Sequence, residues 1–290
     1  MALSLRQIRR RIRSVENTKK MTRAMEMVAA AKLKKLQDLL RQSDLYIGEL
    51  KRILETLVRE KPLAHPLLEK RAEVKSTLAF VIASDTGLCG SYNTNVLEQI
   101  GQFIKTEGSK SAVHFVAIGK HGANYLKRTK QTVSKELPIP KPNEIDETIR
   151  QITQIATDEF TKGQADQVVF IYTKVVSLGS LRPSREQLFP IVSNQVQNQE
   201  GTEVNYLIEP GLDPVLEIMI PEFIEAEMGQ FVKHSLVSEQ ASRMMAMRQA
   251  TDNAKEMIDS LTLLRNKARQ ASITKELLEV VSGSRALQMK

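Results

Sequence analysis

The sequence predicts an α/β domain carried between two very long helices that pair as an antiparallel coiled coil. Three observations predict it. Pro and Gly are nearly absent from both ends of the chain, apolar residues there recur three and four residues apart, and the middle alternates short β-rich runs with helical stretches. At 290 residues the chain reaches the size at which a single core stops growing, which suits a globular domain plus an elongated part. Aromatic residues make up only 4%, with no Trp and 11 Met, a balance that favours long helices over a large aromatic core.

From Leu3 to about Arg59 there is no Pro and a single Gly, Gly48, so nothing interrupts a helix. Its apolar stripe reads Leu5, Ile8, Ile12, Val15, then Met21, Met25 and Val28. Lys61-Pro62 and His65-Pro66 end it, because a residue before Pro is pushed out of the helical region. The second helix is expected to start at Asp213-Pro214, with Asp as cap and Pro in the first turn, and to restart or kink at Pro221. No further Pro occurs to about Arg285, a length of about 100 Å at 1.5 Å per residue. Within it Met247, Ala250, Ala254, Met257, Leu261, Leu264, Ala268, Ala271, Lys275 and Leu278 alternate by three and four, a heptad seam whose one polar member is Lys275. So much Ala predicts a close, slender pairing of two helices that buries little area per turn.

Between the helices, strands are expected over 77–83, 112–118, 167–176 and 204–208, and helices over 95–105, 121–127 and 144–162. That alternation predicts a small, three-layered, Rossmann-like open sheet. The polar segment 178–201 reads as an edge strand plus loop. The expected division is a helix over 1–60, an α/β domain over 74–210 and a helix over 213–287, together one discontinuous domain over 1–290.

Chemistry is sparse. Cys89 is the single cysteine, so there is neither an internal disulfide nor a thiol cluster for a metal, and a reducing compartment is expected. Cys89 reads as a buried structural thiol. His65, His114, His121 and His234 show no metal-ligand spacing and no catalytic pairing with it. Ser84-Asp85-Thr86-Gly87-Leu88-Cys89-Gly90 lies where a dinucleotide loop would, but its glycines miss that fingerprint, and a tight strand-to-helix turn is expected instead. No catalytic residue, cofactor or metal is assigned. No apolar run of about 18 residues is present, and the N-terminus lacks a secretory pattern, so direct membrane insertion is not expected. The net charge of +8 is concentrated: residues 1–41 hold 12 Lys or Arg against three acidic residues, and the remainder is nearly neutral. Such an arm suits an acidic protein surface, nucleic acid or an anionic membrane. Nucleic acid is disfavoured because the basic segment itself carries the apolar stripe, and residues 1–45 contain no aromatic ring to stack on bases.

Three blocks carry a resemblance that runs over nearly the whole chain. The first is 8–36, with Ser14-Val15-Glu16-Asn17-Thr18 and Met21-Thr22-Arg23-Ala24-Met25; the second is Ser84 to Gly90. The third runs from Ser242-Arg243-Met244-Met245 through Ala250-Thr251-Asp252-Asn253-Ala254 to Asn266-Lys267-Ala268-Arg269-Gln270 and Val281-Ser282-Gly283. Together they resemble the gamma subunit family of F-type ATP synthases, bacterial type. Thr86 and Lys275 depart from it, standing where that family commonly has Arg and Gln. The resemblance implies a non-catalytic rotary shaft whose coiled coil enters a hexamer of alpha and beta subunits, with the α/β domain on a membrane ring beside epsilon. It implies that Met25, Arg243, Arg269, Gln270, Thr274 and Glu276 touch beta, that Tyr206 and Glu209 face the ring, and that the chain sits peripherally on the cytoplasmic face of the cell membrane. No thiol switch is expected with Cys89 alone.

Overall fold

The computed structural model of the chain describes residues 4–60, 67, 71, 73–177, 179–191, 209 and 211–288. Two helices dominate it, α1 over Leu5–Glu60 and α5 over Leu212–Gln288. Between them lie β1 (Ser76–Ile82), α2 (Tyr92–Glu107), β2 (Ala112–Ile118), α3 (Lys120–Arg128), β3 (Thr132–Leu137), α4 (Ile145–Thr161), β4 (Gln167–Ser177) and β5 (Ser180–Phe189). The chain forms two compact units: Met1–Ala29 with Met244–Lys290, and Ala30–Arg243.

In the larger unit the sheet runs β3-β2-β1-β4-β5, with β1 to β4 parallel and β5 antiparallel at the edge. The order arises because the β1-α2-β2-α3-β3 crossovers build outward on one side before α4 returns the chain to the other side of β1. Strand alternation then sorts the core. Ala79, Val81 and Ala83 face a cluster with Val96, Ile100, Phe103, Ala123 and Leu126 from α2 and α3. On the opposite face Phe80 stacks on Phe170 at 4.7 Å, and Phe170 and Tyr172 meet Phe231 of α5 at 5.1 and 4.8 Å. The polar segment after β4 does supply the expected edge strand, β5. β3 went unforeseen because its sequence, Thr-Val-Ser-Lys-Glu-Leu, lies at the other, exposed edge and carries little apolar signal. Pro221 lies inside α5 rather than at a restart, since the helix runs continuously across it. The expected strand at 204–208 falls outside the described residues.

α1 and the first part of α5 run antiparallel within this unit: Lys233 Nζ donates to Ser43 Oγ at 3.1 Å, and Gln230 Nε2 to Asp44 Oδ1 at 2.7 Å. Burial along α1 follows a three-four alternation through Leu33, Leu36, Leu40, Ser43 and Ile47, and resumes at Leu54 and Leu57 after the half-buried Leu50 and Lys51.

The smaller unit shows the same periodicity with an unexpected choice of residues. On α1 the covered positions are Ile8, Ile12, Thr22 and Ala29, whereas Met21, Met25 and Val28 are 62%, 38% and 57% exposed. On α5, Met247, Thr251 and Ala254 are buried, Ile258, Leu261, Arg265, Ala268 and Ser272 are half-covered, and Met257 and Leu264 are exposed. The seam therefore shares Met247, Ala254, Leu261 and Ala268 with the expected one, but takes Thr251, Ile258, Arg265 and Ser272 in place of Ala250, Met257, Leu264 and Ala271. Lys275 is no seam residue; it is exposed and pairs with Glu279 at 3.7 Å. Thr22 and Thr251 explain part of this choice, for their hydroxyls meet at 2.8 Å, and each also lies within reach of a carbonyl of its own helix. One hydroxyl donates across the seam while the other donates backwards. Thr251→Val alone will lower the unfolding midpoint, costing about 0.5–1.5 kcal/mol for the lost cross-seam bond, since the Thr22 hydroxyl still reaches the Lys19 carbonyl at 3.1 Å; Thr22→Val with Thr251→Val will cost little more, because the shared bond is lost only once. Equal midpoints for the single variant and the wild type would refute the pairing.

Candidate functional site

In an open α/β sheet the crevice for ligands lies beyond the carboxyl ends of the strands where the crossovers diverge, here β1 and β4. The turn Ser84–Gly90 occupies that position, and two features that would serve a phosphate there are already used. Asp85 accepts the Lys120 N–H at the start of α3 at 2.9 Å and the Ile139 N–H at 3.2 Å, so the chain's own carboxylate sits at the helix N-terminus. Gly119, at φ 99°, brings the backbone against Ala83, and an added Cβ would collide with the Ala83 carbonyl oxygen. Cys89 is buried and free, its Sγ receiving the Asn93 Nδ2–H at 3.2 Å. Structural thiol and tight turn are both as expected.

What fills the crevice is a polar band of α5, buried on nearly all sides from His234 to Ser242. Ser235 Oγ meets the Tyr92 hydroxyl at 2.7 Å, Ser238 Oγ donates to the Thr173 carbonyl of β4 at 3.0 Å, and Ser242 Oγ donates to the Cys89 carbonyl at 2.6 Å. Arg243 Nη1 donates to Glu239 Oε1 at 2.6 Å, and Nη2 donates to the Thr86 carbonyl at 3.2 Å and the Thr86 hydroxyl at 3.1 Å. Burial raises the Tyr92 phenol far above its ordinary range, with the Glu239 carboxylate adding to the effect. Burial also raises Glu239, against the opposing pull of Arg243. The three-four spacing of Ser235, Ser238 and Ser242 on α5 is the signal by which sequence reading could have found this band.

His234 accepts the Val175 N–H on Nδ1 at 3.4 Å, and burial lowers its pKa below the ordinary value. The fold therefore holds a neutral imidazole, and the stability this confers is present above the unfolded value of about 6.5 and lost as pH falls through the folded one. Raised carboxyls such as Glu239 and Glu227 act in the opposite sense, favouring the fold more as pH falls. The difference in unfolding midpoint between wild type and His234→Gln, measured from about pH 7 down to 5, isolates the histidine. The wild type should lose stability relative to the variant on acidification, and a constant difference would refute a depressed pKa.

The residues singled out from sequence fall in different places. Arg269, Gln270, Thr274 and Glu276 are all exposed on α5, within one half of the helix circumference, and Ile273 and Leu277, 47% and 60% exposed, lie between them. Thr274 Oγ1 donates to the Gln270 carbonyl at 3.0 Å, and Ser272 Oγ donates to Glu276 Oε1 at 3.1 Å. Met25 lies outside the seam. Arg243 and Glu209 belong to the larger unit, Arg243 tied down within it and Glu209 exposed. Tyr206 lies outside the described residues. No helix among the described residues is long and apolar enough to cross a membrane.

Comparison with known proteins agrees with this architecture. Residues 4–287 match the family described as ATP synthase. An ATP synthase gamma chain from Dehalococcoides mccartyi is 41% identical over 98% of this chain and 99% of its own length. One from Cupriavidus necator is 38% identical over 97% and 99%. Among solved structures, a chain of the Euglena gracilis mitochondrial ATP synthase superposes with a TM-score of 0.64 over 98% of this chain and 94% of that one, at 16% identity. A chain from the central stalk and c-ring structure of the Tetrahymena thermophila mitochondrial enzyme gives 0.56 over 79% and 99%, at 22% identity. With near full-length matches at about 40% identity and the same fold of paired long helices around a mixed sheet, the chain belongs to the ATP synthase gamma chain family.

Proposed function

We propose that this gamma chain is the non-catalytic central rotor shaft of an F-type ATP synthase, coupling ion-driven rotation of a membrane ring to conformational cycling in catalytic beta subunits. The observation that carries the reading is the outward turn of apolar side chains in the smaller unit. Met21, Met27, Val28, Met257, Leu263, Leu277, Leu278 and Val280 are each more than half exposed. Exposed apolar side chains in this number call for a partner to cover them, and the Lys and Arg side chains that stand among them on α1 suit an acidic protein surface. The partners in this reading are three alpha and three beta subunits, epsilon and the c-ring.

In this reading 1–60 and 213–287 are the shaft helices and 74–210 the α/β domain, together one discontinuous domain. Met25, Arg269, Gln270, Thr274 and Glu276 contact beta, and Tyr206 and Glu209 face the ring. Arg243 is assigned a place in this contact region through the turn it holds, since its guanidinium is engaged by Glu239 and Thr86. The filled crevice supports a shaft without nucleotide chemistry of its own. Function then follows from differential contact: the shaft shifts each beta subunit between states only by as much as it binds those states differently. Peripheral placement on the cytoplasmic face of the bacterial membrane belongs to the same proposal.

The test is native mass spectrometry of the tagged chain purified from its own host. Three copies of each of two larger proteins with one of this chain are expected; a homodimer or a nucleic-acid complex would overturn the reading. In the assembled complex, Arg269→Ala with Gln270→Ala should leave the composition intact and slow ATP turnover by about tenfold or more, the effect of losing ~1.4 kcal/mol of charge-assisted contact. Unchanged turnover would remove these two residues from the contact set.

A further inference from the structure

We propose that Glu239 and Arg243 are positioning residues that latch the turn Ser84–Gly90 onto α5, so that the α/β sheet and the helix transmit torque without slipping. The proposal rests on the rotor reading above and assigns a part to residues that touch no nucleotide. Its geometry lies wholly within the larger unit.

The turn does not hold its own shape by sterics. Leu88 has φ 62° and Gly90 φ 56°, and a bulky residue in the left-handed region costs of order 1–3 kcal/mol unless its surroundings enforce it. Leu88 is 61% exposed, so no burial of its own side chain offsets that cost. Part of the enforcement is local, Ser84 Oγ donating to the Thr86 carbonyl at 2.7 Å and the Tyr92 N–H to the Cys89 carbonyl at 3.2 Å, and α5 supplies the rest. Ser242 holds the Cys89 carbonyl at 2.6 Å, and Arg243 holds the Thr86 carbonyl, the Thr86 hydroxyl and, at 3.5 Å, the Gly87 carbonyl. Two consecutive helix residues thus grip the turn on both sides of Leu88. One helical turn earlier, Ser238 grips Thr173 on β4, so the band ties α5 to the ends of both strands that flank the crevice.

Glu239 makes sense as the group that aims Arg243. Its Oε1 takes Arg243 Nη1, while its Oε2 is buried without a hydrogen-bond partner among the described residues. A carboxylate kept at 6% side-chain exposure with half its capacity unused is a poor device for stability, since a buried ion pair seldom repays its desolvation. It is a good device for orientation. The planar guanidinium points one edge at Glu239 and the other at the turn, a bridging geometry that an ammonium cannot reproduce.

The test uses the assembled complex carrying Arg243→Lys, Arg243→Ala or Glu239→Gln, with two readouts. The first is the rate at which a thiol reagent labels Cys89, followed by mass spectrometry of its peptide; the wild-type thiol is 2% exposed. Labelling should accelerate about tenfold in Arg243→Ala and Arg243→Lys, as expected for losing charge-assisted bonds, and less in Glu239→Gln, which keeps an acceptor. The second is the number of ions pumped per ATP hydrolysed in sealed vesicles, a ratio that does not depend on how fast ATP is turned over, which should fall in the same order. Arg243→Lys keeps charge and stem and serves as the variant that folds. Unchanged labelling in Arg243→Ala overturns the latch itself. Faster labelling with undiminished pumping per ATP overturns its role in transmission and leaves the rotor reading standing. Failure of the wild-type chain to purify with a catalytic head overturns the rotor reading, and this proposal with it.

Discussion

Replacing Met257 and Leu264 together by Asp will release the chain from its complex without unfolding it. Both side chains are exposed, at 53% and 41%, and lie seven residues apart on one face of α5 beside the seam rather than in it. Exposed substitutions change chain stability by no more than about 0.5 kcal/mol, so the unfolding midpoint of the isolated chain should hold. Within a sleeve the same carboxylates would be buried without partners, at about 3 kcal/mol each, or roughly a hundredfold in affinity apiece. On the proposed rotor reading, co-purification with the alpha and beta subunits should be lost. If instead the isolated chain loses its midpoint while the complex persists, these residues are seam and the exposed-stripe reading fails. Had the seam followed the sequence expectation, that second result would be the natural one, so the experiment also arbitrates between the two registers.

Phe170→Ala will have the opposite profile, with a large loss of stability and no specific effect on partners. Phe170 is fully buried, stacked on Phe80 at 4.7 Å and against Phe231 of α5 at 5.1 Å. With Tyr172 it is one of the side chains through which β4 meets the covering helix. Truncating a buried Phe costs about 3–5 kcal/mol, from lost transfer energy plus the cavity left behind. Against a typical total of about 5–15 kcal/mol this is a large fraction, and denaturant titration should show it directly. Phe170→Leu, which keeps more of the volume, should lose clearly less. A loss below about 1 kcal/mol in Phe170→Ala would mean that α5 does not close this face of the sheet.

The two long helices, their antiparallel pairing, the alternating α/β middle and the buried thiol of Cys89 were all legible in the chain, because each rests on local rules. A stretch without Pro or Gly continues as helix, and a run such as Leu78 to Ile82 flanked by turn residues becomes a central strand. Which face of a helix is buried was legible only to within one residue. A heptad can step by three or four from the same starting point, so Met247, Ala254 and Leu261 are common to two stripes, one through Ala250 and Met257 and one through Thr251 and Ile258. Hydrophobicity favoured the first. The structure takes the second: Thr22 and Thr251 join their hydroxyls across it and Ala29 is buried in it, while Met257 and Leu264 stay outside. Likewise the turn Ser84–Gly90 could be read from its glycines, but nothing within it shows that Ser242 and Arg243, more than 150 residues away, would close the crevice. Local periodicity and turn chemistry are properties of a segment and survive in the sequence. The choice between neighbouring stripes, and the occupant of a crevice, depend on the shape and polarity of a partner that only the folded chain brings near.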